Sequence, residues 1–274
     1  MIRLLPVVLV ALAAPASAQS LVAGRVLEGA PWCNDVHHAS DLEVVCEVRE
    51  TILYADRLDV ESVVNGPVHV KEWDRADVLV RARIAAVAAT TPRAAALVDA
   101  SSVDTDQGTV QSRLPPTRRR EHVSVSYEIF APRDTDLEVA TVNGPVSIHG
   151  LRGQIRADAV NGPISLEGVG GDVRVRAVNG PVTVALEGDR WQGGGLEVRT
   201  ENGPITVTVP DGYSAQVVAE TRMGRVTMDD LEVCDAEHRR GRHYGDTLRG
   251  RLGHGGQTIS LTTANGPVRL VPRG

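Results

Sequence analysis

The chain has 274 residues, a formal net charge of −6 at pH 7, and 3% aromatic residues. A mildly acidic chain offers no electrostatic footprint for nucleic acid, and so few aromatic side chains count against a carbohydrate-processing groove. Beyond its first residues no stretch is apolar over the ~20 residues that a membrane helix needs, so no transmembrane segment is expected in the mature chain.

The N-terminus reads Met1-Ile2-Arg3, an apolar run from Leu4 to Ala14, then Pro15-Ala16-Ser17-Ala18. Charge, apolar core and A-x-A site in that order mark a secretory signal peptide, so residues 1–18 are expected to be removed and the chain exported, to the periplasm or the cell exterior. Residues 19–57 form an N-terminal segment holding Cys33 and Cys46, with Cys234 far downstream. Export favours disulfides, and the close pair is the natural one, its loop worth about 3 kcal/mol in chain entropy. Three cysteines admit two other pairings; under the first, Cys234 is an odd thiol, buried or open to an intermolecular bond.

Residues 58–274 are predicted to form a repeat β domain. Leu58 to Ile84 is an early strand pair around Asn65, residues near 91–121 are linker-like with one short helix from Arg93 to Asp99, and strands Val123 to Phe130 and Leu137 to Thr141 lead into the array. Asn-Gly-Pro begins at Asn65, Asn143, Asn161, Asn179, Asn202 and Asn265, with a degenerate copy at Met223-Gly224-Arg225. Two successive intervals, from Asn143 to Asn161 and on to Asn179, are eighteen residues each. Within a unit, Val146 and Ile148 alternate with Ser147, and Ile155, Ala157 and Ala159 alternate with Arg156 and Asp158, the period of two of half-buried strands. One corner is glycine-rich, Gly150-Leu151-Arg152-Gly153 and Gly168-Val169-Gly170-Gly171. The other is the pair Asn65-Gly66, Asn143-Gly144, Asn161-Gly162, Asn179-Gly180, Asn202-Gly203 and Asn265-Gly266, residue types that accept positive φ, followed by a proline that opens the next strand. Trp191 to Gly195 lengthens one unit, and Cys234 to Gly256 interrupts the array before a final strand, Gln257 to Thr263.

The fold class expected is all-β: a β-solenoid whose fixed-period units stack with the Asn-Gly corners in a ladder. The alternative is an antiparallel β-meander or sandwich, with Asn-Gly as a hairpin turn. In a solenoid, insertions map to one face, often the working face.

These residues resemble the bacterial putative-adhesin family, exported β-solenoid domains of unknown function. The likeness rests on the Val-Asn-Gly-Pro-Val/Ile units, on Gly194 to Gly203, on Val209-Pro210-Asp211-Gly212-Tyr213-Ser214-Ala215, and on Leu252-Gly253-His254-Gly255-Gly256, covering roughly Leu58 to Val271. It implies a fold and an exported location, and supplies no catalytic residue.

Catalysis by a polysaccharide-active β-helix, the alternative function, needs paired carboxylates or basic residues on one face. Asp158, Arg156, Arg174 and Arg176 stand on a predicted exposed stripe, but alternating exposed charge is the ordinary solution for solubility. His37, His38, Cys234, His238, His243 and His254 match no usual zinc spacing, and no phosphate or dinucleotide motif stands before a helix. No catalytic, metal or cofactor-binding residue is therefore assigned and no cofactor is expected. The function read from the sequence is an exported structural or adhesin-like protein presenting a rigid surface, with Ser147, Arg156, Asp158, Ser165, Arg174, Arg176, Thr183 and Arg199 on it. Its partner would be an unknown envelope protein, a glycan, or a second copy stacked end to end, with Pro272 blunting the C-terminal strand.

Overall fold

A computed structural model describes residues 23–27, 30–36, 41–62, 66–241 and 245–273. The expected signal peptide, His37, His38, Asn65 and His243 lie outside the described residues. In chain order the elements are β1 (Ala23–Leu27), β2 (Glu43–Leu53), β3 (Arg57–Ser62), β4 (Val68–Trp73), β5 (Val78–Ala88), α1 (Thr91–Asp99), β6 (Ser102–Asp104), β7 (Thr109–Arg113) and β8 (His122–Pro132). The repeats supply β9 (Asp136–Asn143), β10 (Val146–His149), β11 (Gln154–Asn161), β12 (Ile164–Glu167), β13 (Asp172–Asn179), β14 (Val182–Ala185), β15 (Gly195–Asn202) and β16 (Ile205–Val209). Then come β17 (Ala215–Met223), β18 (Val226–Met228), β19 (Val233–Arg240), β20 (Asp246–Leu252), β21 (Thr258–Asn265) and β22 (Val268–Pro272).

The protein is all-β with two mixed sheets, ordered β1-β2-β5-β8-β4-β10-β12-β14-β16-β22-β18 and β19-β20-β17-β21-β15-β13-β11-β9-β3-β7-β6. Two sheets around one core agree with the sandwich alternative. Within the repeats, however, successive strands alternate between the sheets and pair in parallel with their equivalents one unit away. Val146 faces Ile164, which faces Val182, and Ile155 faces Val173, which faces Leu196. Each Asn-Gly therefore turns the chain from one sheet into the other and is not a hairpin turn. Antiparallel pairing is found in the flanks, β1-β2-β5-β8 and β17-β20-β19.

Period-two patterning explains why the sheets close on one another. Ile155, Ala157 and Ala159 of β11 and Ile164 and Leu166 of β12 are all buried in a single cluster that draws on both sheets. Each fully buried Val, Leu or Ile contributes about 1.5–3 kcal/mol, and the residues between them stay in water.

Cys33 and Cys46 form a disulfide with Cα atoms 5.7 Å apart, as the close spacing implied. It joins the short 3₁₀ turn Pro31–Asp35 to β2. The section near 91–121 reads as linker-like in sequence, yet it carries α1, β6 and β7. Pro92 lies in the first turn of α1, where its missing N–H costs nothing, and Ala94, Leu97 and Val98 bury against the sheet. Arg49 donates to the carbonyls of Val98 (3.2 Å) and Ser101 (2.6 Å), which places a cation at the C-terminal end of the helix.

Arg93 clamps the end of this section by donating to Glu121 at 2.8 and 2.9 Å. That guanidinium, followed by the Arg118 backbone N–H at 2.9 Å, holds the Glu121 carboxyl at about 2. A carboxyl depressed on folding from the usual value near 4.3 contributes stability that is fully present above that value and is lost as pH falls through about 2. Acid melts of the wild type and Glu121→Gln should accordingly diverge above roughly pH 4 and converge toward about pH 2.

Candidate binding groove

The corners establish the register from which the groove is built. Asn161 Nδ2 donates to Asn143 Oδ1 at 3.0 Å, Asn179 to Asn161 at 3.0 Å, Asn202 to Asn179 at 3.1 Å and Asn265 to Asn202 at 2.8 Å. Beside them Gly144 N–H donates to Asn161 O and Gly162 N–H to Asn179 O, each at 3.0 Å. Met223 stands opposite Asn265 and ends the row.

Just before each corner the strand presents one outward, one inward and one outward side chain: Ala140-Thr141-Val142 in β9, Asp158-Ala159-Val160 in β11, Arg176-Ala177-Val178 in β13 and Arg199-Thr200-Glu201 in β15. The inward residues are at most 5% exposed. Stacked in register across β9, β11, β13, β15, β21 and β17, these triplets line a groove of about 780 Å³ that continues past Thr262 to Ala264 and on to Glu220 and Arg222. Six strands at ~4.8 Å spacing give it a length of about 24 Å.

Its walls differ from the rest of the outer face. Val142 and Val160 are 39% and 40% exposed, with Val178 half-buried beside them. Farther from the corner, arginines are neutralised within the chain: Arg156 lies 3.7 Å from Glu138, Arg57 2.7 Å from the same carboxylate, and Arg174 3.3 Å from Asp172. In the groove row Asp158 and Arg176 are register partners, yet among the described residues neither forms an ion pair, and the same holds for Glu201, Glu220 and Arg222. Arg199 pairs with Glu197 at 2.6 Å. Beneath the groove the hydroxyls of Thr221 and Thr263 donate to the carbonyls of Gly266 and Gly203 at 2.8 and 3.0 Å, whereas those of Thr141 and Thr200 are buried without a partner among the described residues.

Sequence reasoning identified part of this surface and misplaced the rest. Ser147, Ser165 and Thr183 share the outer face of one sheet, while Arg156, Asp158, Arg174, Arg176 and Arg199 belong to the other, so the one surface expected is two. The valines beside the corner asparagines were the overlooked signal, since an apolar residue at an outward position three times running has no core to fill. In the insertion at Trp191 the ring is not displayed: it is 4% exposed and its indole N–H donates to Gly171 O at 3.0 Å. Cys234 is exposed on β19. His238 meets buried Asp246 at 2.6 Å, and the other Asp246 oxygen accepts the Val226 N–H at 2.9 Å, which pins β20 to β18. Cys234, Asp235, Glu237, His238 and His254 do not gather as three ligands around one point. Pro272 pairs with Val209 of β16, while β18 pairs with β22 only from Val268 to Leu270. No described helix is long and apolar enough to cross a membrane.

No family model matches the sequence, and no curated protein matches it. Solved structures with similar chains include a "putative cell adhesion protein" from Clostridium sporogenes, with TM-score 0.45 and 11% identity over 84% of this chain and 100% of that one. A "putative adhesin" from Bacteroides fragilis gives TM-score 0.34 and 11% identity over 86% and 98%. A "putative lipid binding protein" from Parabacteroides distasonis gives TM-score 0.30 and 12% identity over 86% and 98%.

Proposed function

We propose that this is an exported adhesin-like protein, a β-solenoid through its repeats, that holds an extended polypeptide of an envelope or cell-surface partner along the valine groove. In this reading the signal peptide of 1–18 directs export, the disulfide-closed segment of 19–57 flanks the array, and 58–274 carries the binding face. The observation that carries the reading is the line Val142, Val160 and Val178 in a groove bordered by Asp158 and Arg176, which form no ion pair among the described residues. Apolar side chains of an extended chain would cover the valines, and its charged groups would meet Asp158 and Arg176. A long groove with few aromatic faces fits a polypeptide better than sugar rings.

The test is saturable binding of the purified mature chain to whole cells and envelope fractions, with Val160→Asp beside the wild type. Burying a carboxylate at the centre of the contact should weaken binding by about 2 kcal/mol or more, with the circular dichroism unchanged. Equal binding by both chains would remove the groove from the interaction. Protease treatment of the cells should abolish binding, and loss on periodate treatment alone would put a glycan there instead.

A further inference from the structure

The last two strands of the chain are not the last strands of either stack. β21 lies between β15 and β17, and β22 between β16 and β18, although β16 is followed directly in sequence by β17. The chain therefore sets β17 and β18 one strand spacing beyond β15 and β16 and leaves a slot through both sheets, which residues 258–272 fill. Among the described residues, β17 has no sheet partner on that side but β21, and β18 none but β22.

The filling pair is in register with the strands on both of its edges. Ile259 sits between Leu196 and Val217, and Asn265 between Asn202 and Met223. Val268 sits between Ile205 and Val226. Ile259, Leu261, Val268 and Leu270 are at most 1% exposed, and Thr221 Oγ1 reaches over to the Gly266 carbonyl at 2.8 Å.

The hinge is short and rich in glycine. β20 and β21 flank β17 on opposite sides, with Leu252 opposite Ala215 and Thr258 opposite Gln216. Residues 253–257 must therefore cross the start of β17 over two strand spacings, about 10 Å. They do so with Gly253, Gly255 and Gly256 at φ of 48°, 78° and 140°, and a Cβ on Gly253 would lie 2.7 Å from Ser214 Oγ. Exchange of an element between copies is a low-cost route to a dimer, because the exchanged form keeps every contact of the element.

We propose that the slot accepts the C-terminal strand pair of a second copy of this chain, giving a reciprocally exchanged two-fold dimer. The occupant is the second copy because the slot matches this segment in register, in core side chains and in the asparagine row.

Glu197 and Ser260 face one another across β15 and β21, within reach of a disulfide. Full-length Glu197→Cys and Ser260→Cys chains, each also Cys234→Ser and with the Cys33 to Cys46 bond kept intact, are unfolded, mixed, refolded at high concentration and oxidised. A disulfide-linked heterodimer is expected on a non-reducing gel, and none when the chains are folded separately before mixing. A single chain carrying both cysteines is the control and should close internally. If the control closes while the mixed chains stay unlinked at every concentration, the proposal is overturned. Deleting Gly255 and Gly256 should raise the dimer fraction by about tenfold in light scattering; a chain that stays monomeric after the deletion also overturns it.

Discussion

Gly162→Ala is expected to lower the unfolding free energy by about 4 kcal/mol, read from urea denaturation. A Cβ at this position would lie 2.3 Å from the Gly144 carbonyl oxygen, and the backbone there has φ of 151°. The obstacle is the neighbouring unit's main chain, which cannot move without parting the hydrogen bonds on either side of it. Gly180 meets Gly162 O at 2.2 Å and Gly203 meets Gly180 O at 2.1 Å in the same way, so the corner spacing is set by glycine against carbonyl throughout the row. Gly212 supplies the comparison: its φ is 71°, but a Cβ there meets nothing within 4 Å. Gly212→Ala should cost only the backbone strain, about 1 kcal/mol. If the two variants are equally stable, the close approach of the units does not control the fold.

Trp191→Ala should cost about 3–5 kcal/mol, measured by thermal or denaturant unfolding. The ring is packed with the core although it comes from an insertion, and its removal also leaves the Gly171 carbonyl without the indole donor. Trp191→Phe keeps most of the apolar volume and removes the donor, so its loss should be intermediate. Unchanged stability in Trp191→Ala would show that the ring is not part of the core.

The repeat strands were legible because two independent signals coincided: a period of two set which residues are buried, and Asn-Gly-Pro marked where each strand begins and ends. Val123 to Phe130 and Leu137 to Thr141 fall inside β8 and β9, and the helix from Arg93 to Asp99 lies within α1. The insertion of β21 and β22 between earlier strands was not legible, since identical corner motifs fit next to any unit and sequence order gives no spatial order. The groove was half legible. Asp158, Arg176 and Arg199 were singled out as outward charges, but only the stacking shows that Arg156 and Arg174 have partners and Asp158 and Arg176 do not. Trp191 misled because a large aromatic among glycines is as compatible with a plug as with a displayed ring.

The asparagine row also governs how the chain ages. In an Asn-Gly sequence the glycine nitrogen can attack the asparagine side-chain carbonyl carbon, expel ammonia and leave a ring that opens to aspartate, one reason asparagine is counted among the heat-labile residues. Here that nitrogen is engaged at Gly144, Gly162, Gly180 and Gly203, whose N–H groups donate to the next asparagine's main-chain oxygen at 2.9–3.0 Å. The carbonyl under attack is held as well, because the Oδ1 atoms of Asn143, Asn161, Asn179 and Asn202 each accept from a neighbouring amide. An aspartate in the row could accept but not donate, and would break the chain of mutually polarised amides at its own position. At four of the six copies of its most perishable dipeptide, Asn143-Gly144, Asn161-Gly162, Asn179-Gly180 and Asn202-Gly203, the chain thus folds so that neither reacting atom is free to turn.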